Sequence, residues 1–263
     1  MPGPWEDDLR AGLHTKRVGQ AFRHRRICGS TNDEMARWAE QGAPDGAVVA
    51  ADEQTAGRGR LGRVWHSPPG SSLYVSLLLR PRVSPAALPP LTLLTGAVLA
   101  NVLADLGVPC RLKWPNDVML PTGQGLKKAG GILTEMATSQ GQIRHVVVGI
   151  GLNVLPIVFP ADLANVATSL GNVSGTPPDR LWVLQRFLNL FEPAYDAFLR
   201  EGASYALGAW RPHAWLGQLC RVEREPEAIL GRAVDVEDTG ALVLEDSEGK
   251  RHVILSGEVI TKL

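Results

Sequence analysis

The sequence predicts an α+β fold, a mixed β-sheet with helices, followed by a small C-terminal β domain. Three observations lead there. Several predicted strands adjoin in sequence without a helix between them, which disfavours a doubly wound parallel sheet. Of the 263 residues, 44% are hydrophobic and 21% charged, a balance that can bury a sizeable core without disulfides or structural metal. From His213 onward short strands recur at regular intervals between Gly, Asp and Glu turns, the pattern of a barrel or sandwich. The expected domains are therefore 1–212 and 213–263.

Taken in order, residues 1–26 carry a basic stretch from Lys16 to Arg26 and too little apolar periodicity for a domain; they read as a solvated leader. Ser30 to Glu34 opens a helix in which Thr31 and Glu34 have capping-box spacing, with Met35, Trp38 and Ala39 on its apolar face. A turn at 41–46 ends it. Residues 47–51 form a buried strand, 52–69 a polar loop and 73–80 a second strand. An apolar helix at 91–106 stops at Gly107. Strands at 111–114 and 118–120 flank Pro115, Asn116 and Asp117, and strands at 131–137 and 144–150 pair as a hairpin. A helix at 177–200 should kink at Pro193, and a shorter one follows at 203–211. The C-terminal strands are expected at 219–222, 228–236, 241–244 and 252–255.

Charge and cysteine content exclude several classes. The 27 basic and 27 acidic residues cancel, so the chain lacks the global field of a dedicated nucleic-acid or membrane-surface protein. Cys28, Cys110 and Cys220 form no CxxC pair, which suits a reducing compartment and gives no zinc signature. The first ten residues contain acids and no apolar run, unlike a secretory signal. The apolar stretches at 91–106 and 146–159 are short and interrupted. A cytoplasmic protein without DNA, membrane or resident metal is expected.

Four segments carry chemistry. In Gln54-Thr55-Ala56-Gly57-Arg58-Gly59-Arg60-Leu61-Gly62-Arg63, glycines permit close backbone approach and three permanently charged guanidiniums crowd one loop. Such crowding costs stability unless an anion neutralises it, so phosphate or carboxylate binding is favoured over a merely solvated loop. It is neither a Walker loop nor a Rossmann fingerprint. Lys113-Trp114-Pro115-Asn116-Asp117 projects an amide and a carboxylate from a restricted turn, although an Asx turn explains them equally. In Lys127-Lys128-Ala129-Gly130-Gly131 a lysine opens a strand, where it can neutralise charge at an attacked phosphorus, although a solvated surface pair is the commoner reading of these residues alone. Gly149-Ile150-Gly151-Leu152-Asn153 ends another strand with small residues on which a planar ring can lie, or which form a bulge.

Read together with Ser30-Thr31-Asn32, these segments resemble, in order and spacing, the motifs of the biotin–protein ligases, over about residues 28–155. The part from His213 is similar to that family's SH3-like domain. The resemblance implies a catalytic domain of the class II aminoacyl-tRNA synthetase/biotin ligase type and a two-step reaction. ATP and biotin, with Mg²⁺, give biotinyl-5′-AMP and pyrophosphate; a lysine of a biotin carboxyl carrier protein domain then takes the biotin as an amide. It further implies that Ser30, Thr31, Asn32 and Gln54 hold the biotin ring, with Gly57, Gly59, Gly130 and Gly131 framing it. Arg58 and Arg60 would fold over biotin and the phosphates, Arg63 and Trp65 would help close the loop, and Lys128 would reach the biotin carboxylate and the α-phosphate. Asn116 and Asn153 would lie near adenine, and Asp117 would orient, or take a proton from, the incoming lysine.

The argument from unpaired charge also expects residues 58–66 to be mobile without ligand. Only about 27 residues precede the region of resemblance, too few for the DNA-binding domain of the family's repressor members, so the repressor function is not expected. Lys127 should be solvated, and the 155–170 loop offers no distinctive residue to cover adenine. The family includes monomers and ligand-linked homodimers. Two other readings remain open: a lipoate–protein ligase-like acyltransferase, and a non-catalytic biotin- or anion-binding protein.

Overall fold

The computed structural model describes residues 5–223 and 228–260. Its centre is a seven-stranded mixed sheet. The strands are β1 (Phe22–Arg25), β2 (Val48–Ala51), β3 (Ser72–Leu79), β4 (Arg111–Lys113), β5 (Asp117–Thr122), β6 (Gly125–Ser139) and β7 (Gln142–Asn153). Their spatial order is β1-β2-β3-β7-β6-β5-β4. Only β1 and β2 run parallel; every other neighbouring pair is antiparallel.

The apolar runs explain the layering. Helix α3 (Pro90–Asp105) is hydrophobic nearly all round, because it lies between the sheet and two further helices, α5 (Arg180–Glu201) and α6 (Ala203–Trp210). Residues 85–105 are long and apolar enough to cross a bilayer, with a mean hydropathy of 1.7, yet 72% of that stretch is buried inside the protein. The apolar surface is used in the core. On the opposite face α2 (Thr31–Glu40) covers a smaller cluster with Met35 and Ala39 against Val49, Leu78 and Val147. A short α4 (Leu170–Ser174) is capped by the Ser169 hydroxyl and was not expected.

The expected strands and long helices are present, with ends shifted by a few residues. The hairpin strands β6 and β7 extend well beyond the expected limits, because long backbone pairing continues through the glycine-rich segments. Helix α5 continues through Pro193. Two expectations fail. Residues 5–25 are no solvated leader: helix α1 (Glu6–Ala11) buries Leu9 completely, and β1 forms the sheet edge. The segment between them is pinned by Glu192 of α5, whose carboxylate accepts the backbone N–H groups of Lys16 (2.7 Å), Arg17 (2.9 Å) and Val18 (2.7 Å). The capping box does not form either. Ser30 is the N-cap, without a side-chain bond, and Glu34 instead pairs with Arg25 and Arg37.

The C-terminal region is a five-stranded antiparallel sheet of SH3-like size, formed by β8 (Leu219–Glu223), β9 (Ile229–Val236), β10 (Leu242–Glu245), β11 (Arg251–Ile254) and β12 (Glu258–Ile260). The last strand was not expected; it reaches only three residues and pairs with β8. The sheet is joined to the larger region by Trp114 Nε1 donating to the Gly240 carbonyl (2.8 Å) and by the Trp215 N–H donating to the Leu112 carbonyl (2.9 Å).

Candidate active site

Strand alternation turns one face of the sheet from an apolar support into a floor. Along β7, Val147 packs under α2, and the next residues on that face are Gly149, Gly151 and Asn153. Gly149 lies opposite Ser76 and Leu133, and Gly151 opposite Tyr74 and Gly131. The glycines are needed for space: a Cβ on Gly149 would meet Asn32 Oδ1 at 2.2 Å, and one on Gly151 would meet the Trp65 indole at 2.6 Å. The Trp65 ring thus lies against Gly151 and Gly131, where the sequence had suggested a planar group. Its Nε1 is buried and finds no acceptor among the described residues.

Above this floor is a cavity of about 650 Å³. Its wall includes Ser30, Thr31, Asn32, Gln54, Arg58, Gly59, Arg60, Arg63, Trp65, Asn116, Asp117, Lys128, Gly131 and Asn153, so residues from five separate segments converge. Gly57 and Gly130 do not reach it. Each sits behind the wall, where a Cβ would strike Ser67 Oγ (2.6 Å) or crowd Val118 (3.2 Å). Both therefore support the site through packing behind its wall.

At the inner end, polar atoms form one connected set. The Thr31 N–H donates to Gln54 Oε1 (2.8 Å), and Gln54 Nε2 donates to Ser67 Oγ (3.1 Å). Ser76, fully buried on β3, donates to Asn32 Oδ1 at 2.6 Å and lies 2.8 Å from Thr31 Oγ1. A hydroxyl has one proton, so with Asn32 as its acceptor, Ser76 receives from Thr31. Asn32 Nδ2 donates to Glu135 Oε2 (2.7 Å) and to the Leu133 carbonyl (3.3 Å).

The arginine loop closes one side. It is a tight hairpin, with Gly59 N–H donating to the Arg63 carbonyl (2.7 Å) and Trp65 N–H to the Gly57 carbonyl (2.9 Å). At its tip Leu61 and Gly62 take φ of +55° and +73°. Contrary to expectation, its guanidiniums have partners within the protein. Arg58 Nη2 lies 2.7 Å from Asp33 and 2.9 Å from Glu135; Arg60 Nη1 donates to Asn116 Oδ1 (3.3 Å); Arg63 pairs with Glu258 of β12. Carboxylates distant in sequence relieve the crowding. Burial pulls the Arg60 guanidinium below its ordinary value, against the opposing pull of Asp117 and Glu258. Arg60 is thus the loop cation that points inward.

Lys128 Nζ sits 2.6 Å from Asp117 Oδ1 and 5.3 Å from the centre of the Trp65 ring. Lys113, on β4, is a second cation in the wall, and burial holds its ammonium below the usual range despite Asp117. Lys127 donates to the Ala164 carbonyl (3.0 Å), outside the cavity wall. Asn116 ties its turn to β6 by donating to the Ile132 carbonyl (2.9 Å), while Asn153 donates to the Thr168 carbonyl (2.9 Å) and accepts from Ser72 (3.3 Å). Asn153 therefore has its amide engaged in holding the 155–168 segment. That segment brings Phe159, Leu163 and Val166 to the wall, and Phe159 approaches His66 at 6.2 Å between ring centres. The site residues not expected from sequence are Ser76, Lys113, Glu135, Phe159 and Glu258.

The arrangement has an amide-and-hydroxyl end for a neutral polar ring, a glycine floor, and cations suited to a carboxylate and a phosphate. Residues 25–153 match the Biotin/lipoate A/B protein ligase family, and residues 215–261 the Biotin protein ligase C terminal domain. The chain is 37% identical over 252 residues to the bifunctional ligase/repressor BirA of Bacillus spizizenii, covering 94% of this chain and 76% of that protein. It is 35% identical over 239 residues to the biotin–[acetyl-CoA-carboxylase] ligase of Mycobacterium tuberculosis, covering 88% and 85%. The fold superposes on the biotin protein ligase from Aquifex aeolicus in complex with biotin and ATP with a TM-score of 0.77, at 30% identity, over 92% of this chain and 98% of that one. Sequence, architecture and both matched regions agree: the chain belongs to the biotin protein ligase family.

Proposed function

We propose that this protein joins biotin to a lysine of a biotin carboxyl carrier domain in two steps. A biotin carboxylate oxygen attacks the α-phosphorus of MgATP and pyrophosphate leaves, giving biotinyl-5′-AMP. The lysine amine then attacks the acyl carbon, AMP leaves, and the nitrogen loses a proton to become an amide. The observation that carries this reading is the joining, in one cavity, of the Thr31–Asn32–Gln54 polar end, backed by the buried Ser76, with Lys128, Arg60 and Lys113.

Biotin's carboxylate and the triphosphate repel each other, so the first step needs fixed cations between them. Lys128 fills that role, held ready by Asp117. Arg60 neutralises the α-phosphate from above, and Arg63 and Trp65 close the loop. Asn32 and Gln54 face the ring, with Ser30 and Thr31 at the start of α2. Phe159, with Asn116 and Asn153 nearby, borders the adenine space. Asp117 and Glu258 are the wall carboxylates, hard oxygen donors of the kind that take magnesium along with phosphate oxygens. Once Lys128 turns to the adenylate, Asp117 is freed to orient the carrier amine. We place the division between domains at 212/213 and the reaction in the cytoplasm.

The deciding experiment incubates the protein with biotin, MgATP and a carrier domain and measures the intact mass of the carrier. One biotinyl group on one lysine is expected. An unmodified carrier, with no biotin-dependent exchange of pyrophosphate into ATP, overturns the reading; exchange driven by lipoate instead supports the acyltransferase alternative. Asp117→Asn should slow transfer from preformed biotinyl-5′-AMP, and full transfer by that variant removes Asp117 from the second step.

A further inference from the structure

Glu135 serves both the ligand seat and the loop that covers it. It stands on β6, behind the cavity wall, on the same face as Leu133 and Gly131. A single oxygen, Oε2, accepts from Asn32 Nδ2 at 2.7 Å and from Arg58 Nη2 at 2.9 Å. Asn32 is buried and held in place on every side. Its oxygen accepts from Ser76, its two N–H groups go to Glu135 and the Leu133 carbonyl, and Gly149 leaves just enough room for it. An amide has two donors and two lone pairs, so what Asn32 retains for a ligand is one lone pair. The carboxylate is what makes the reversed amide unfavourable, since that would set oxygen against oxygen.

At the other side, Arg58 anchors the base of the arginine loop between Glu135 and Asp33. We propose that Glu135 is a positioning residue that couples recognition of the biotin ring by Asn32 to closure of the loop by Arg58; this rests on the biotin reading above. A ring N–H that donates to Asn32 Oδ1 polarises the amide and strengthens its donation to Glu135. The same carboxylate then holds Arg58, so an occupied seat and a closed loop stabilise each other. No other carboxylate among the described residues bonds to both Asn32 and the loop.

The test is a double-mutant cycle on Glu135→Gln and Arg58→Ala, read by biotin-dependent pyrophosphate exchange and by escape of biotinyl-5′-AMP into solution. Glu135→Gln keeps an acceptor for Asn32 but removes the charge that holds Arg58. The KM for biotin and the rate of adenylate escape should each rise about three- to fivefold in either single variant, and the double variant should be little worse, because both remove one shared link. In Glu135→Gln the KM for ATP should stay near the parental value, which a general loosening of the fold would not leave alone. If Glu135→Gln lowers the melting temperature, Glu135→Asp supplies the second arm: it keeps the charge, is too short to reach both partners, and should raise the KM for biotin in the same way. Additive effects in the cycle, or an unchanged KM for biotin in the Gln and Asp variants, overturn the coupling while leaving an active parent enzyme. A parent without biotin-dependent exchange overturns the functional reading, and the coupling with it.

Discussion

The floor and the loop of the cavity are built in opposite ways. The floor, where β3, β7 and β6 run side by side, is a continuous backbone ladder, and its shape comes from glycines at alternate positions. The loop is a short hairpin fastened to four different places: α2 and β6 through Arg58, the turn before β5 through Arg60, and β12 through Arg63. The Arg58 and Arg63 ties are partly exposed ion pairs, each worth roughly 0–1 kcal/mol, so a charged ligand can compete for them. On the proposed reading, selectivity resides in the continuous ladder of the floor, and retention in the loop, whose fastenings are weak and replaceable.

If that division holds, the largest effect comes from the floor's own cation. In the proposed reaction, Lys128→Ala removes the charge between carboxylate and α-phosphate and leaves Asp117 without its partner. Biotin-dependent pyrophosphate exchange should fall by about 10²–10³-fold. A fall of only a few-fold would move the first step onto the loop and break the comparison. Gly149→Ala should come next. The added methyl collides with Asn32, at a cost of about 1–3 kcal/mol in stability, visible as a lower melting temperature together with a raised KM for biotin.

Glu192→Gln, remote from both regions, sharpens the comparison as a control. Burial raises the Glu192 carboxyl, but the N–H groups of Val18, Lys16 and Arg17, aided by the Arg17 charge, outweigh it and leave it below 4.5. The depressed value means the folded form favours the ionised carboxylate. Its contribution is thus complete above pH 4.5 and fades as pH falls through the lower folded value. At neutral pH the variant should lose about 1–3 kcal/mol, and acid unfolding curves should show less protection than the parent at the upper end of that window. Adenylate formation should be unchanged. Smallest in stability is Arg63→Ala, at about 0.2–1 kcal/mol, since the pair with Glu258 is mostly solvated. Its effect should appear instead as faster escape of biotinyl-5′-AMP, matched by Glu258→Gln. Equal retention in both variants would detach the C-terminal sheet from loop closure.

Much of the site was legible because its chemistry sits in short contiguous runs. Ser30 to Asn32, the arginine–glycine segment, Asn116 with Asp117, Lys128 and the 149–153 strand end all reach one cavity. What was not legible depends on register. Ser76 matters because β3 sets it opposite Gly149, and Glu135 because β6 sets it opposite Val147; neither spacing is visible along the chain. Glu258 arrives through a three-residue strand in another sheet. For the same reason the inference that the arginines lack partners failed: Glu135 and Glu258 are 77 and 195 residues away from the arginines they meet. At the other end of the molecule, basic residues from Lys16 to Arg26 suggested solvent, while the parallel pairing of β1 and the buried Leu9 came from tertiary packing that composition does not encode.

That packed N-terminal segment also decides how the chain can be trimmed or fused. A cut at the start of the matched region, near residue 25, would delete α1 and β1 and expose β2, four consecutive buried residues whose freed N–H and C=O groups would seek any passing strand. It would also strip Glu192 of its donors in the middle of α5. A tag or a grafted domain belongs upstream of Trp5, and a shortened version that begins at the first recognisable motif should aggregate before it can be assayed.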